Sequence, residues 1–462
     1  MLFNSFVFIF VFLPVAYTVF WLLRTSRARY LWLTATGYVF YGYWNPKFCL
    51  LMAFSTLVSY LAGLGFLRWS DPRRRKLCLV VPIVVDLSLL AFFKYANFGL
   101  QSARNVAHFF GADVAIPHLD IVLPIGISFY TFHTITYIVD SYRGVIRPTR
   151  NFFEFSTYVS LFSQLVAGPI VRFRQIEEDL ESIAANDRMR WVQRGVSFFV
   201  IGLVEKVLVA DSLAAFVDPA LASYGSLSTV GAWMAMLGYS FQLYFDFSGY
   251  SSMAVGLGYL FGLRIPQNFN SPYKATDPSD FWRRWHISLS SVLRDYLYIP
   301  LGGNRQGKLQ TYRNVMITML LGGLWHGASW TFVVWGGYHG LLLSLHRAFG
   351  TTWDALPRIV RQAGMFLLAV VGWVFFRSAT FEMAVALLRA MFLPTAGLLV
   401  AQPVLASVAL AIAGSWAMAG PNPFEMRHEF RLPGRVLLAS GFAAALAIVI
   451  GLRSSPFLYF QF

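Results

Sequence analysis

Two histidines carry most of the chemistry this chain can offer. His326 lies inside Met319-Leu-Leu-Gly-Gly-Leu-Trp-His-Gly-Ala-Ser-Trp-Thr-Phe-Val-Val-Trp335, an apolar run loosened by Gly322, Gly323 and Gly327. An imidazole at membrane depth is costly unless it faces water, a partner or a substrate. It is also the side chain best suited to move a proton near neutral pH, so His326 could take the proton of an attacking hydroxyl. The alternative is a packed ring whose nitrogens bond backbone carbonyls. His286 sits in a second aromatic setting, Phe281-Trp-Arg-Arg-Trp-His-Ile-Ser-Leu-Ser290. Around it, Arg283, Arg284, Arg294, Arg305 and Lys308 could meet phosphates from the cytosolic side. They could equally contact lipid headgroups or set topology.

Other candidates are weaker. Asp246 in Tyr-Phe-Asp-Phe-Ser-Gly-Tyr reads as structural, bonding an arginine or backbone, and Glu205 and Lys206 read as partners of other spans. His339 and His346 share a helix face two turns apart, but two histidines do not make a metal site. His133 reads as a core residue, while His108, His118 and His428 carry no signal. The sequence has no nucleotide-binding loop, zinc spacing, redox cysteine pair or Gly-x-Ser-x-Gly elbow. Cys49 and Cys78 lie in or beside apolar runs and give no disulfide framework.

The elements that must hold these residues are membrane helices. The chain of 462 residues is 57% hydrophobic and 13% charged, with a mean hydropathy of +0.56. A soluble domain carries roughly 25% charged residues. Continuous rather than alternating apolar runs point to an all-α polytopic protein. The net charge of +15 then reflects Lys and Arg in cytoplasmic loops, not nucleic-acid binding.

Five spans alternate cleanly: Phe3–Leu23, Tyr30–Tyr43, Phe48–Leu67, Leu77–Phe93 and Ile121–Val139. Basic clusters after the first, third and fifth place the N-terminus outside, with Ala96–Asp120 as an outer loop. The first run reads as a retained helix rather than a signal peptide. The stretch 152–171 is broken at Gly168-Pro169 and reads as a dip into the membrane, followed by a polar cytoplasmic segment at 172–194. Spans at 195–213 and 231–249 follow. Residues 264–313 are polar and basic. Within them 281–297 predicts one amphipathic surface helix, with Trp282, Trp285, Leu289, Val292, Leu293 and Tyr296 on the apolar face. Arg284, Ser288, Ser291 and Asp295 lie on the opposite face. Spans flank His326, and further ones are expected at 362–376, 383–398, 401–419 and 435–451. Three regions result: N-terminal helices 1–151, a catalytic core 152–377 that includes 264–313, and C-terminal helices 378–462.

The block Phe281 to Ser290, continued by Leu293-Arg-Asp-Tyr-Leu-Tyr-Ile-Pro-Leu-Gly-Gly-Asn-Arg305 and Gly322-Gly-Leu-Trp-His326, resembles the membrane-bound O-acyltransferase (MBOAT) family. Supporting stretches are Phe93–Phe98, Leu123–Tyr130, Leu165–Pro169 and Gln242–Tyr250. Within the family the chain is most similar to alginate and other exopolysaccharide O-acetylation proteins. The resemblance implies roughly 11–13 membrane helices or re-entrant segments around a central funnel, with His326 as the main catalytic residue and His286 as the second family histidine. It implies no permanently bound cofactor, acetyl-CoA as cytosolic donor, and an outer transferase and polysaccharide machinery as partners in a bacterial inner membrane. Ser252 stands where alginate-type relatives often carry Asp, and His133 where some carry Glu, so the polymer stays open between alginate, cellulose and others. Transfer of D-alanine from a carrier protein, as in the teichoic-acid branch, and a non-catalytic exporter or scaffold are the alternatives.

Overall fold

Helices account for nearly all regular structure in the computed structural model, and among the described residues a single bridge, Leu227 to Leu398, stands in place of any sheet. The structure describes residues 1–451 and 458, apart from 113, 116, 167, 186, 187, 429 and 430. Ala167 of the Leu165–Pro169 stretch therefore lies outside the described residues. Four described helices are long and apolar enough to cross a bilayer: Lys47–Arg68, Pro72–Phe109, Arg358–Arg377 and Leu432–Gly451. The chain divides into two units, 1–195 with 257–266, and 196–256 with 267–462.

The first unit contains α1 (Leu13–Leu22), α2 (Ser26–Gly42), α3 (Lys47–Arg68), α4 (Pro72–Leu90), α5 (Ala96–Phe109), α6 (Ile127–Tyr142), α7 (Phe152–Ser160) and α8 (Phe173–Glu181). A buried carboxyl ties three of them together. Asp86 of α4 accepts from Ser55 Oγ of α3 and Thr134 Oγ1 of α6, each at 2.6 Å. The loop expected over Ala96–Asp120 is corrected in its first part: α4 runs on through Ala91–Tyr95 into α5, one helix from Pro72 to Phe109. Falling hydropathy marks the edge of the apolar run, not the end of the helix, and Ala, Gln and Arg at 96–107 are good helix formers. α7 is capped by the Asn151 side chain, which accepts from Phe153 N and Glu154 N. It ends at Ser160, and the irregular backbone of 161–166 and 168–172 is buried. Covered irregular backbone is what the Gly168-Pro169 break requires at membrane depth.

The second unit receives the chain through α9 (Arg188–Val204) and holds α10 (Asp211–Ala222), α11 (Thr229–Leu260), α12 (Pro278–Arg284), α13 (Ile287–Leu293), α14 (Lys308–His326), α15 (Trp330–Asp354), α16 (Arg358–Arg377), α17 (Phe381–Phe392), α18 (Pro403–Ala419) and α19 (Leu432–Gly451). Lys206 pairs with Asp211 and with Asp246 of α11, both at 2.6 Å. Glu205 accepts from Ser248 Oγ at 3.1 Å. These ionisable residues thus serve helix packing, as expected for Asp246, with a lysine rather than an arginine as partner. The helix expected over 383–398 ends at Phe392, and 393–402 continue without helix as far as Gln402.

The single helix expected over 281–297 is also corrected. It breaks at His286, which adopts the left-handed conformation (φ 43°, ψ 55°). Ser288, expected on the solvent face, is 5% exposed, and Trp285 is 3% exposed. The two sides of the break are buried in protein rather than laid on a surface. The periodicity of 281–297 is real, but a polar partner at Asn268 offers the backbone a better arrangement than a continued helix.

Candidate active site

His326 is the last residue of α14, and α15 folds back directly after Ser329. The turn is possible because glycines let the two helices touch. A Cβ at Gly323 would overlap the Phe332 carbonyl oxygen, and one at Gly336 would overlap that of Met319. Such close backbone approach fixes α14 against α15 at the level of the imidazole. The ring is 3% exposed as a residue and boxed by aromatics, with centroids 5.1 Å from Trp325, 5.1 Å from Trp335 and 5.3 Å from Phe376, all edge-on. Edge-to-face packing of this kind orients rings as well as burying them.

His286 comes to the same place from a different element. Its ring centroid is 6.3 Å from that of His326 and 6.1 Å from Trp325. Phe247 of α11 packs edge-on at 4.8 Å. The structure therefore brings together the two histidines singled out in the sequence, 40 positions apart, and both are buried.

Asn268 holds His286 in position, and sequence reading missed it. Its Oδ1 accepts from Ser288 N at 3.2 Å and Ser288 Oγ at 2.8 Å, while its Nδ2 donates to Ser251 Oγ at 3.2 Å. The Ser288 N–H fixes which end of the amide is oxygen. His286 Nδ1 lies 3.2 Å from that same Oδ1, and the Leu289 N–H is further from Nδ1, at 3.4 Å. The shorter contact, to Asn268 Oδ1, calls for a proton on Nδ1, whereas the Leu289 N–H donates to Nδ1 at 3.4 Å in the other tautomer; we take the shorter contact and place the proton on Nδ1. The lone pair then sits on Nε2, which is buried and makes no hydrogen bond to the described residues. Full burial of the ring disfavours its charged form. Asn268 carries no signal in the sequence because one asparagine in a polar segment is ordinary. Only its contact across 18 residues makes it distinctive.

The arginines separate into two groups. Arg284 is committed, its Nε to Asp280 at 3.0 Å and its Nη1 to the Asn270 carbonyl at 3.2 Å. Arg283 and Arg294 have side chains 66% and 63% exposed, with Asp280 at 3.7 Å and Asp295 at 2.7 Å. The hydrogen bond and charge of Asp295 raise the Arg294 pKa above its ordinary value. Arg305 and Lys308 are exposed.

His339 and His346 have separate surroundings. His339 stacks on Phe281 at 5.8 Å and meets Trp335 at 5.0 Å, one turn from the His326 box. His346 faces Asp354 at 3.8 Å. No group of three metal-ligating side chains occurs among the described residues. His133 is a fully buried core residue of the first unit. His428 is more engaged than the sequence suggests, bonding Ser197 Oγ and the Pro423 carbonyl, both at 2.8 Å.

Several helices long and apolar enough to cross a bilayer make this a multi-pass membrane protein, and two of its buried histidines meet at one point. The model of the membrane-bound O-acyltransferase family matches residues 120–385. The chain is 45% identical over 400 residues to the probable alginate O-acetylase AlgI of Pseudomonas aeruginosa, covering 85% of this chain and 75% of that protein. It is 41% identical to the protein of the same name from Pseudomonas putida over the whole length of both. It is 38% identical to the peptidoglycan O-acetyltransferase of Helicobacter pylori, covering 85% of this chain and 80% of that one. The chain belongs to the membrane-bound O-acyltransferase family, and it is an O-acyltransferase.

Proposed function

We propose that this protein O-acetylates a secreted polysaccharide, drawing the acetyl group from cytosolic acetyl-CoA and passing it across the bacterial inner membrane, with its N-terminus outside. The relatives named for alginate and peptidoglycan O-acetylation support the reading. The observation that carries the mechanism is the meeting of two buried imidazoles, 6.3 Å apart, one of them in contact with Asn268 through its Nδ1.

In this reading His326 is the base. It takes the proton of an acceptor hydroxyl, on the polymer or on a partner transferase outside, as the oxygen attacks the acetyl carbonyl. The C–S bond of the thioester then breaks, and the thiolate recovers that proton from the imidazolium. His286 offers its Nε2 lone pair as a hydrogen-bond acceptor that orients donor or acceptor beside the base. Arg283, Arg294 and Arg305, with exposed guanidinium groups, meet the donor phosphates, while Arg284 holds the backbone under them.

The test is label transfer from radiolabelled acetyl-CoA in lipid discs, with the outer partner or a small hydroxyl acceptor present. Wild type should transfer and His326→Ala should not, while remaining folded. Equal transfer by both would remove His326 from the chemistry. Label accepted only from an aminoacyl carrier protein would replace acetyl by D-alanine.

A further inference from the structure

A mixed-charge cluster begins one residue beyond the aromatic box of His326. Phe376 of α16 packs edge-on against His326 at 5.3 Å, and the next residue, Arg377, ends that helix. Arg377 Nη2 lies 3.9 Å from Asp218 Oδ1 of α10, and its guanidinium carbon is 5.8 Å from the centre of the Tyr239 ring of α11. Gln242, one turn after Tyr239 on the same helix face, brings its side chain to Asp218. α14, α15 and α16 pack side by side and alternate in direction. α14 and α16 both start at basic residues, Lys308 and Arg358, while His326 and Arg377 mark their far ends. The basic end is the cytosolic one, so Arg377 and Asp218 stand on the side from which the acceptor arrives.

Tyr239 is fully buried and Gln242 is 3% exposed. The Tyr239 hydroxyl, Gln242 Oε1 and Arg377 Nε are nevertheless buried without a hydrogen-bond partner among the described residues. Such groups are costly to bury unmet, and two helices bring them together beside a carboxylate from a third. The Asp218 side chain is 47% exposed and that of Arg377 24%, so the cluster is open at this end. Their contact at 3.9 Å is too long for a hydrogen bond, a spacing that a bridging hydroxyl fits. Charge narrows the choice of ligand. Lys206, which also bears on Asp218, pairs with Asp211 and Asp246, so two cations stand against three carboxylates. An anion is repelled by this balance, and a cation meets Arg377. A hydroxyl satisfies both sides, donating to Asp218 or Gln242 Oε1 and accepting from Arg377 or Tyr239.

We propose that Asp218, Tyr239, Gln242 and Arg377 form an acceptor subsite for the vicinal hydroxyls of an uncharged sugar, holding the polymer so that a neighbouring hydroxyl reaches His326. The inference rests on the function proposed above for the base and for the side of entry. It goes further in placing the polymer itself, rather than a partner's hydroxyl, at the site, and in selecting a neutral sugar over a uronate.

Binding tests the subsite without donor or turnover. Saturation-transfer NMR on the protein in lipid discs compares a cello-oligosaccharide with a uronate oligomer of equal length. Wild type should saturate the neutral sugar and leave the uronate near background. Tyr239→Phe, which removes one neutral hydroxyl, should raise the Kd of the neutral sugar about fivefold. Asp218→Asn removes a charged acceptor and should raise it about tenfold or more. Asp218→Asn also leaves the Arg377 charge unopposed, so the uronate should now bind at least as well as the neutral sugar. Loss of fold would not produce that reversal. Equal binding of the two sugars by wild type overturns the proposal, as does binding of neither. An unchanged Kd in Tyr239→Phe overturns it too, and this variant decides the matter should Asp218→Asn fold poorly. Selective binding of the neutral sugar with no acetyl transfer to it upholds the subsite and refutes the acetyl-CoA reading instead.

Discussion

Replacing Asn268 by Ala should uncouple the two histidines without touching either. The substitution removes the one acceptor shared by His286 Nδ1, Ser288 N and Ser288 Oγ. With Oδ1 gone, the neutral ring can move its proton to Nε2 and let Nδ1 accept from Leu289 N and Ser288 Oγ, both already at 3.4 Å. The lone pair on Nε2 would be lost. A buried donor left without its acceptor costs about 1–3 kcal/mol. Each 1.36 kcal/mol of lost orientation is worth about tenfold in rate, so transfer should fall roughly 10- to 100-fold. Asn268→Asp keeps an acceptor opposite Nδ1 and should restore most of the loss, which a purely structural role for the amide would not require. The assay is acetyl transfer in lipid discs, with kcat and KM resolved for all three proteins. A kcat for Asn268→Ala within twofold of wild type would refute the tautomer assignment and the role of His286 built on it.

Two further substitutions test how the second unit is held. Gly336→Ala places a Cβ against the Met319 carbonyl, whereas Gly337→Ala meets only the movable end of Leu320 at 3.3 Å. Overpacking should cost Gly336→Ala about 1–3 kcal/mol and lower transfer by displacing α14, and Gly337→Ala should be close to neutral in both respects. Thermal unfolding in discs compares them, and equal behaviour would rule out the tight α14–α15 crossing. Lys206→Met leaves Asp246 without its lysine and should destabilise by about 3–5 kcal/mol. Adding Asp246→Asn should recover part of that loss, so a single mutant as heat-resistant as wild type would contradict the buried pair.

Hydropathy and charge make the helical membrane character legible, because both follow from the bilayer and need no tertiary knowledge. The two candidate histidines stand out in the sequence for a related reason: an imidazole within an apolar, aromatic run conflicts with its surroundings. What stays hidden depends on contacts distant in sequence. Nothing local to Asn268 shows that it meets His286, and nothing local to Lys206 selects Asp246 over any other acid. The error over 281–297 has the same origin. Its heptad-like apolar spacing predicts an unbroken helix, and only the Asn268 side chain, entering from outside the segment, makes a break at His286 the better solution. The error over 96–109 is different, since there local propensity favours helix and the drop in hydropathy marks only the end of the apolar run.

The two catalytic candidates are positioned by opposite means, and this bears on which of them can act as base. His326 ends a long helix whose glycine-packed neighbour and aromatic box leave its backbone regular and its ring confined. His286 sits at a chain break in a left-handed conformation that costs an L-residue roughly 1–2 kcal/mol. That strain persists only where the surroundings over-determine it. Here the surroundings are Asn268, which takes the side chain through Oδ1 and the Ile287 backbone N–H through its carbonyl oxygen at 2.8 Å. A ring so held has one tautomer and one orientation, which suits an acceptor that aligns a substrate. On the proposed division of labour, with His326 as base and His286 as fixed acceptor, the two positions should show unequal rescue. His286→Gln, which can still present an acceptor, should retain more transfer than His326→Gln, which cannot accept a proton near neutral pH. Equal loss in the two variants would assign the proton transfer to the pair rather than to His326.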